Sequence, residues 1–539
     1  MKPRSMRARL AADESLGAGN VLATLLRLGA DPDGPGLIFD TEVDGRHPAG
    51  TMITLGQLDE RVNARTDWLH RRGIKPRDPV AVWTTDAADI ILSFLALSRI
   101  GAIPALMNGK MPPEIAAEYI RRLRSVGVLA DAPHRELLAG HDIGVPVLAA
   151  PAELGTGDPG TAPPHYPHHE DDPVVITHSS GTTGVPKAVM HTHTTIYAAT
   201  RHLLTLPQAQ GTNRILNALP IPHTATVIMM NQALGNRAEF YSLSKQDGSY
   251  VLDAIERWRP AGVFGFAVTW AGLARYDLSK HDLDSVRMWF NTGDCAHESH
   301  IRRLVAVGSH QTVTRQGVVT VPGSVFIDGL GSSEMGHSMF YIHHTNETEK
   351  YGRCIGKPYE FVQAVVIDKE GNEVPPGVVG YLGLKAPSLS PTYWNDSVTT
   401  YRFKVNGWSL YGDLVYRDEE GWFYHMDRAP DAGELGDGRQ VYTAMSEERV
   451  LSAMPEVIDC TAVVVTENGT VTTDFLLELE DGADPDVDRT ERVRAAIGEP
   501  AGSTLRRVVA VSTGDLPLTV TGKVRKFLLR QQHLAELAR

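Results

Sequence analysis

The chain reads as an α/β protein, with a large N-terminal part of layered sheets and helices that includes a β-rich subdomain, and a small α+β C-terminal part. Three observations predict this. Helical and strand patterns alternate between about Thr51 and Ala132, the order expected of packed sheet and helix layers. From Phe361 the pattern becomes short, turn-punctuated strands of antiparallel character. A polar, glycine-containing stretch from Ala429 to Gly438 then separates this body from a compact final segment. At 539 residues the chain exceeds one ordinary core. The boundaries expected are 1–427 for the N-terminal part, 428–438 for a hinge and 439–539 for the C-terminal part.

Leu55 to Arg72 has the apolar spacing of an amphipathic helix, Pro79 to Trp83 that of a buried strand, and Asp89 to Ile100 that of a second helix ending at Gly101. Ile115, Tyr119, Ile120 and Leu123 recur at helical spacing. The Pro-, Gly- and Ala-rich stretch from Ala150 to Pro167 predicts a connecting loop. His165, His168 and His169 at its end would need further ligands to hold a metal, and a solvated polar loop accounts for them without one. Buried strands are expected at Val174–Thr177, Gly262–Val268 and Val325–Asp328. Phe361–Ile367 and Gly380–Ala386 read as antiparallel strands, with a turn at Asp368–Asn372. Asn468-Gly469 signals a hairpin, and Val524–Leu537 a final helix. No internal repeat stands out.

The composition, 42% hydrophobic and 22% charged, is that of a folded globular protein. A net charge of −13 without a long Lys/Arg run argues against nucleic acid or an anionic membrane as the main partner. The first residues are basic but lack an apolar run before Asp13 and Glu14, which argues against a signal peptide, and no stretch approaches a membrane span. Cys295, Cys354 and Cys460 are far apart and lack metal-ligand spacing, as expected of packed thiols in a reducing cytoplasm.

The most informative stretch is Thr177 to Lys187. A β-branched run feeds His178 and then Ser179-Ser180-Gly181-Thr182-Thr183-Gly184-Val185-Pro186-Lys187. Two glycines allow a sharp turn and close approach to a ligand, four hydroxyls and the backbone N–H groups can donate to phosphate oxygens, and the lysine supplies positive charge. The spacing is not that of a Walker loop, which ends in Gly-Lys-Ser/Thr at a helix start. Residue for residue it resembles the phosphate loop of the adenylate-forming superfamily of acyl- and aryl-CoA synthetases, peptide-synthetase adenylation domains and luciferases.

Further motifs follow in that superfamily's order, from Thr177 to Arg525. Pro220-Ile221-Pro222-His223 resembles its proline-flanked histidine, which implies that His223 borders the acid-substrate pocket; a core or loop histidine is the alternative. Asn291-Thr292-Gly293-Asp294-Cys295-Ala296 resembles the loop against the nucleotide, placing Asp294 there. Gly329-Leu330-Gly331-Ser332-Ser333-Glu334 resembles the segment that packs on adenine. By that resemblance Gly331 and Ser332 belong to the nucleotide site and Ser333 touches the α-phosphate. Thr183 and Glu334 then hold Mg²⁺, a cation that takes hard oxygen ligands. Tyr411-Gly412-Asp413-Leu414 implies that Asp413 accepts from the ribose hydroxyls, and Met426-Asp427-Arg428 that Arg428 closes over ribose and phosphate. Pro517 to Arg525 resembles the C-terminal Thr/Asn-Gly-Lys loop of a small mobile domain. Lys523 would bridge the attacking oxyanion and the α-phosphate, where a fixed cation stabilises the charge of the transition state.

Two departures bear on the second half-reaction. The superfamily's hinge residue falls at Pro430, before Asp431; proline fixes φ near −65°, which would displace the pivot toward Gly433 or Gly436. The Gly-x-Arg loop that lines a pantetheine tunnel is absent, and Tyr442 and Thr443 stand in its place. The resemblance thus implies an ATP- and Mg²⁺-dependent adenylate-forming ligase that activates a small-molecule oxyacid, carboxylate or nitrite, for a small nucleophile, amine or CoA. CoA is disfavoured as acceptor, and the most specific expectation is an ATP-dependent diazotase that activates nitrite for coupling to an aromatic amine. An acyl- or aryl-CoA ligase is the alternative; a catalytically silent nucleotide-binding protein is opposed by Lys187, Glu334, Asp413 and Lys523. Neither the acid nor the oligomeric state is legible.

Overall fold

The computed structural model describes residues 5–179, 185–207, 211, 213–315, 317–519 and 522–537. Its chain divides into two compact units, one of residues 1–265, 331–338 and 386–402, the other of 266–330, 339–385 and 403–539.

The first unit contains two sheets. In one, Pro79–Thr84, Ile103–Asn108 and Gly127–Ala130 run parallel, every residue of them buried. Pro173–His178 joins in parallel beside Ile103–Asn108, and Ala188–Thr192 returns antiparallel to it. Strands buried on both faces must be apolar almost throughout, which is why this region reads as unbroken hydrophobic runs. In the other sheet Gly262–Gly265, Arg214–Asn217, Glu239–Ser242 and Pro35–Phe39 are parallel neighbours, with Met52–Thr54 antiparallel at the edge. The helix expected from Leu55 runs Leu55–Arg71, where Thr54 and Gln57 form a reciprocal capping box. The next begins earlier than expected, at Ala87, because the Asp86 carboxylate accepts from the Asp89 N–H and closes its first turn.

The second unit is rich in antiparallel structure. Met288–Asn291 and Val325–Asp328 are parallel. Phe340–His344, Cys354–Pro358, Phe423–Arg428, Trp408–Arg417, Gly380–Lys385 and Gln363–Ile367 then succeed one another as antiparallel neighbours. Towards the C-terminus, Val457–Glu467 and Thr470–Leu479 pair across the expected Asn468-Gly469 turn, both residues at positive φ, and Leu505–Ala510 adds in parallel. Helices 443–453 and 490–497 close a core around Val450, Phe475, Leu477, Val493 and Ile497.

Three expectations are corrected. The strand from Gly262 stops at Gly265: the Phe266 N–H donates to Thr269 Oγ1 at 3.1 Å, and Ala267–Ala274 is helical. The stretch after Ala150 contains two short 3₁₀ turns, Pro151–Thr156 and Pro159–Thr161. The linker after Ala429 is partly ordered as a small antiparallel pair, Gly433–Glu434 with Gln440–Val441.

Candidate active site

The anticipated residues fall into two groups, each inside one unit. In the first unit the stretch expected to hold phosphate lies between two antiparallel strands, with Thr177 opposite Val189 and His178 opposite Ala188. The strands on either side of it pair antiparallel, unlike the strand-to-helix setting of a Walker loop. Its base is closed by the Ser179 N–H donating to the Lys187 carbonyl at 3.0 Å and the Lys187 N–H donating to Ser179 Oγ at 3.1 Å. Ser180, Gly181, Thr182, Thr183 and Gly184 lie outside the described residues.

Around this base stand three histidines. His223 Nδ1 accepts from the Ala225 N–H at 3.1 Å and so caps helix Thr224–Asn236. An accepting Nδ1 places the ring proton on Nε2, which lies 3.2 Å from Ser333 Oγ. Burial pushes His191 down to about 4, so its neutral ring donates from Nε2 to the Ser333 carbonyl at 2.7 Å. Burial likewise lowers His178, whose Nε2 accepts from the Asn108 N–H at 3.1 Å while Nδ1 donates to the Ser179 carbonyl at 3.0 Å. Neutral imidazoles therefore fix both the loop base and the 333 segment. The Tyr393 hydroxyl donates to Glu334 Oε1 at 2.9 Å, and Lys187 Nζ sits 5.4 Å above the Tyr393 ring. Gly331 and Ser332 belong to the same segment as Ser333 and Glu334.

The second group is a chain of charges in the other unit, buried at Asp413, His425 and Arg353 and partly exposed at Arg428, Asp294 and Lys523. Asp413 and Arg428 face each other across neighbouring strands, with Arg428 Nε 3.3 Å from Asp413 Oδ1. Arg428 also donates to the Tyr411 carbonyl at 2.8 Å. His425 Nε2 is 3.3 Å from the same Asp413 oxygen, while its Nδ1 accepts from Arg353 at 2.8 Å. Arg353 reaches Asp294 at 3.2 Å, and Lys523 Nζ stands 3.9 Å from the other Asp294 oxygen. Burial alone would raise the Asp294 carboxyl, but Lys523 and then Arg353 outweigh it and hold it far below the usual range. Asp413 is held low in the same way, against burial, by Arg428 and then His425. Lys523 sits in a tight turn: the Thr519 N–H donates to its carbonyl at 2.6 Å, its own N–H donates to Thr519 Oγ1 at 3.0 Å, and Gly522 takes φ +84°.

Sequence reasoning missed His191, Arg353, Tyr393 and His425. Arg353 and Tyr393 follow glycine or proline turns with nothing to mark them as partners of residues 59 positions away. His165, His168 and His169 do not gather as a metal site, and no group of three or more His, Cys, Asp or Glu that could hold a metal occurs among the described residues. His168 instead donates to the Ser98 carbonyl and stacks on His193 with ring centroids 4.6 Å apart. The three cysteines are buried and unpaired by disulfides. No helix among the described residues is long and apolar enough to cross a membrane.

The chain belongs to the AMP-binding enzyme family, whose model matches residues 31–394, and it is an AMP-forming ligase of the adenylate-forming superfamily. Among curated relatives it is 42% identical to a 3-aminoavenalumate diazotase of a Streptomyces species, over 99% of both chains. It is 26% identical to the 3-amino-2-hydroxy-4-methoxybenzoate diazotase of Streptomyces cremeus, over 88% of this chain and 89% of that one. It shares its fold with an anthranilate CoA ligase solved in complex with anthranoyl-AMP, with a TM-score of 0.83 at 20% identity over 97% of this chain and 98% of that one.

Proposed function

We propose that the protein is an ATP-dependent diazotase, which activates nitrite and transfers it to an aromatic amine. The observation that carries this reading is the 42% identity, held end to end, to a diazotase. A nitrite oxygen attacks the α-phosphorus of ATP in line and pyrophosphate leaves, giving a mixed anhydride with AMP. The amine nitrogen then attacks the activated nitrogen, AMP leaves, and loss of water yields the diazonium.

In this reading Lys523 stabilises the charge developing at the α-phosphate and Arg428 closes over ribose and phosphate. Asp413 accepts from the ribose hydroxyls, and Asp294, Gly331 and Ser332 border the base. Ser333, oriented by His223, meets the α-phosphate, while Ser179 to Gly184 and Lys187 take the β- and γ-phosphates. The Tyr393-held carboxylate of Glu334 suits Mg²⁺, which binds through one or two carboxylates and completes its shell with phosphate oxygens and water; Thr183 would be its hydroxyl ligand. Bound there, Mg²⁺ neutralises phosphate charge. The functional division is 1–427, a hinge at 428–438 and a lid at 439–539, in a cytoplasmic enzyme.

The test incubates the enzyme with ATP, Mg²⁺, nitrite and aminobenzoate- or aminocinnamate-like compounds near neutral pH, with the diazonium trapped by azo coupling. An ATP-dependent azo product is expected. No such product, together with thioester formation from a carboxylate and CoA, would make the enzyme an acyl-CoA ligase; no pyrophosphate from any acid would make it a silent binding protein.

A further inference from the structure

We infer that Lys526 and Thr443 form a buried staple across the Pro430 hinge. It positions the Lys523 loop for adenylation. The inference rests on the reading of Lys523 as the adenylation lysine.

The staple is built from three stretches far apart in sequence. Asp427, the last residue before Arg428, is 2% exposed. It accepts from the Thr443 N–H and, at 3.1 Å, from the Thr443 hydroxyl. That hydroxyl in turn accepts from Lys526 Nζ at 2.8 Å. Lys526 also donates to Glu447 Oε1 at 2.8 Å, and the same oxygen accepts from the Ala462 N–H at 2.7 Å. One turn further along the helix Lys526–Leu537, Arg530 pairs with Asp431, on the far side of Pro430. Two cations at i and i+4 thus reach aspartates on either side of the proline, Lys526 through the Thr443 hydroxyl and Arg530 directly.

Burial alone would lower the Lys526 ammonium, but Glu447, then Asp427 and Asp431 hold it above its ordinary value. It stays charged, and a buried charge is tolerated only while its partners remain in place. Turning the C-terminal segment about residues 428–432 would separate Asp427 from Thr443, while Lys526 would keep Glu447 as its partner.

The staple reaches Lys523 through a short, closed loop. The Arg525 N–H donates to the Pro517 carbonyl at 2.7 Å and the Thr519 N–H to the Lys523 carbonyl at 2.6 Å, so the neck of the loop is fixed immediately before Lys526. Shifting Lys526 therefore shifts Lys523, three residues before it, and the Nζ that stands by Asp294. Thr443 has a second consequence. Lying where a pantetheine-lining loop is expected, it is fully buried, and its N–H and hydroxyl are both engaged by Asp427.

The test uses full-length Lys526→Met, Lys526→Arg and Thr443→Val, followed by ATP–pyrophosphate exchange with nitrite and by hydrogen exchange of the ligand-free protein. For Lys526→Met, kcat for exchange should fall about 10- to 100-fold with the KM for ATP nearly unchanged, the effect expected when a catalytic group is displaced by around an ångström. Lys526→Arg should recover most of that loss, and Thr443→Val should show a smaller one. Hydrogen exchange should accelerate in 427–431 and 526–537 but not in the 457–479 hairpin. Unchanged kcat and unchanged protection in Lys526→Met would overturn the inference. So would uniform loss of protection through 457–479 with no recovery by arginine, which would make the residue a fold element. If the wild type exchanges pyrophosphate with a carboxylate but not with nitrite, the diazotase reading fails, and the same variants measured with that carboxylate still decide the staple.

Discussion

Lys523 tests the chemistry most directly, because its charged partner is Asp294, held only loosely at 3.9 Å. Lys523→Ala should lower pyrophosphate release by about two orders of magnitude or more while ATP binding by calorimetry persists, as for loss of a transition-state charge partner. Parallel loss of affinity and turnover would relocate its role to ground-state binding. Glu334→Gln retains shape and the Tyr393 contact but loses charge, so activity should fall about 10-fold or more and recover in part at high Mg²⁺. An unchanged Mg²⁺ dependence would leave Glu334 structural. His297 and Glu448, 2.7 Å apart, predict a pH effect on stability. Burial alone would lower His297 from 6.5, but the Glu448 hydrogen bond and charge raise it; burial would raise Glu448 from 4.5, but His297 lowers it. The histidine's contribution is complete below 6.5 and is lost as pH rises through its raised value, whereas the glutamate's is present above 4.5 and is lost in acid. Tm should therefore fall between pH 6 and pH 9 by about 1–2 °C more in the wild type than in Glu448→Gln. At this scale motif residues were legible because each sits in a short local pattern. Arg353 and His425 were not, since their significance lies in a contact across 72 residues that no local pattern records.

Elements were legible where periodicity and punctuation agreed. The capped helix from Leu55, the buried strand from Pro79 and the Asn468-Gly469 hairpin each combine an apolar period with a cap or an obligatory positive φ. Gly262–Val268 misled because a continuous apolar run suits either a buried strand or a buried helix; the Thr269 hydroxyl decided where one ends and the other begins. The hinge stretch misled differently. Its glycines suggested freedom, yet a Cβ on Gly433 would lie 2.5 Å from Val464 Cγ1 and 3.1 Å from Val471 Cγ1, whereas one on Gly436 would meet nothing within 4 Å. Gly433 is a packing glycine in the small antiparallel pair, and only Gly436 has open space. Gly433→Val should accordingly cost about 1–3 kcal/mol by overpacking, read as a lowered Tm and denaturation midpoint. Gly436→Ala should leave stability within about 0.5 kcal/mol. Equal effects of the two would show that the 433–441 pair is not a packed element.

At the scale of the whole molecule the family was legible because its motifs are spread in fixed order from Thr177 to Arg525, an arrangement that composition or a single loop could not supply. The acceptor was less legible, since the absence of a loop says what is lacking rather than what replaces it. The structure describes the replacement. Tyr442 donates its hydroxyl to Gln440 at 2.8 Å, and Thr443 spends both its polar groups on Asp427. Thr443 cannot withdraw without stranding the buried Asp427 carboxylate, and the backbone at Thr443 opens helix Thr443–Ala453. A pantetheine arm would need that helix start to yield, whereas an arylamine entering from the acid side needs no such change. With ATP, Mg²⁺ and either nitrite or an arylcarboxylate as the acid, product formation with millimolar CoA should run at least about 100-fold slower than with an aminocinnamate-like amine and nitrite, the factor that misplacement of a reacting group by an ångström entails. Mass spectrometry of the quenched mixtures distinguishes thioester from diazonium-derived product. Thioester accumulating at a comparable rate would mean that residues 440–443 do rearrange, and the acceptor would then be CoA.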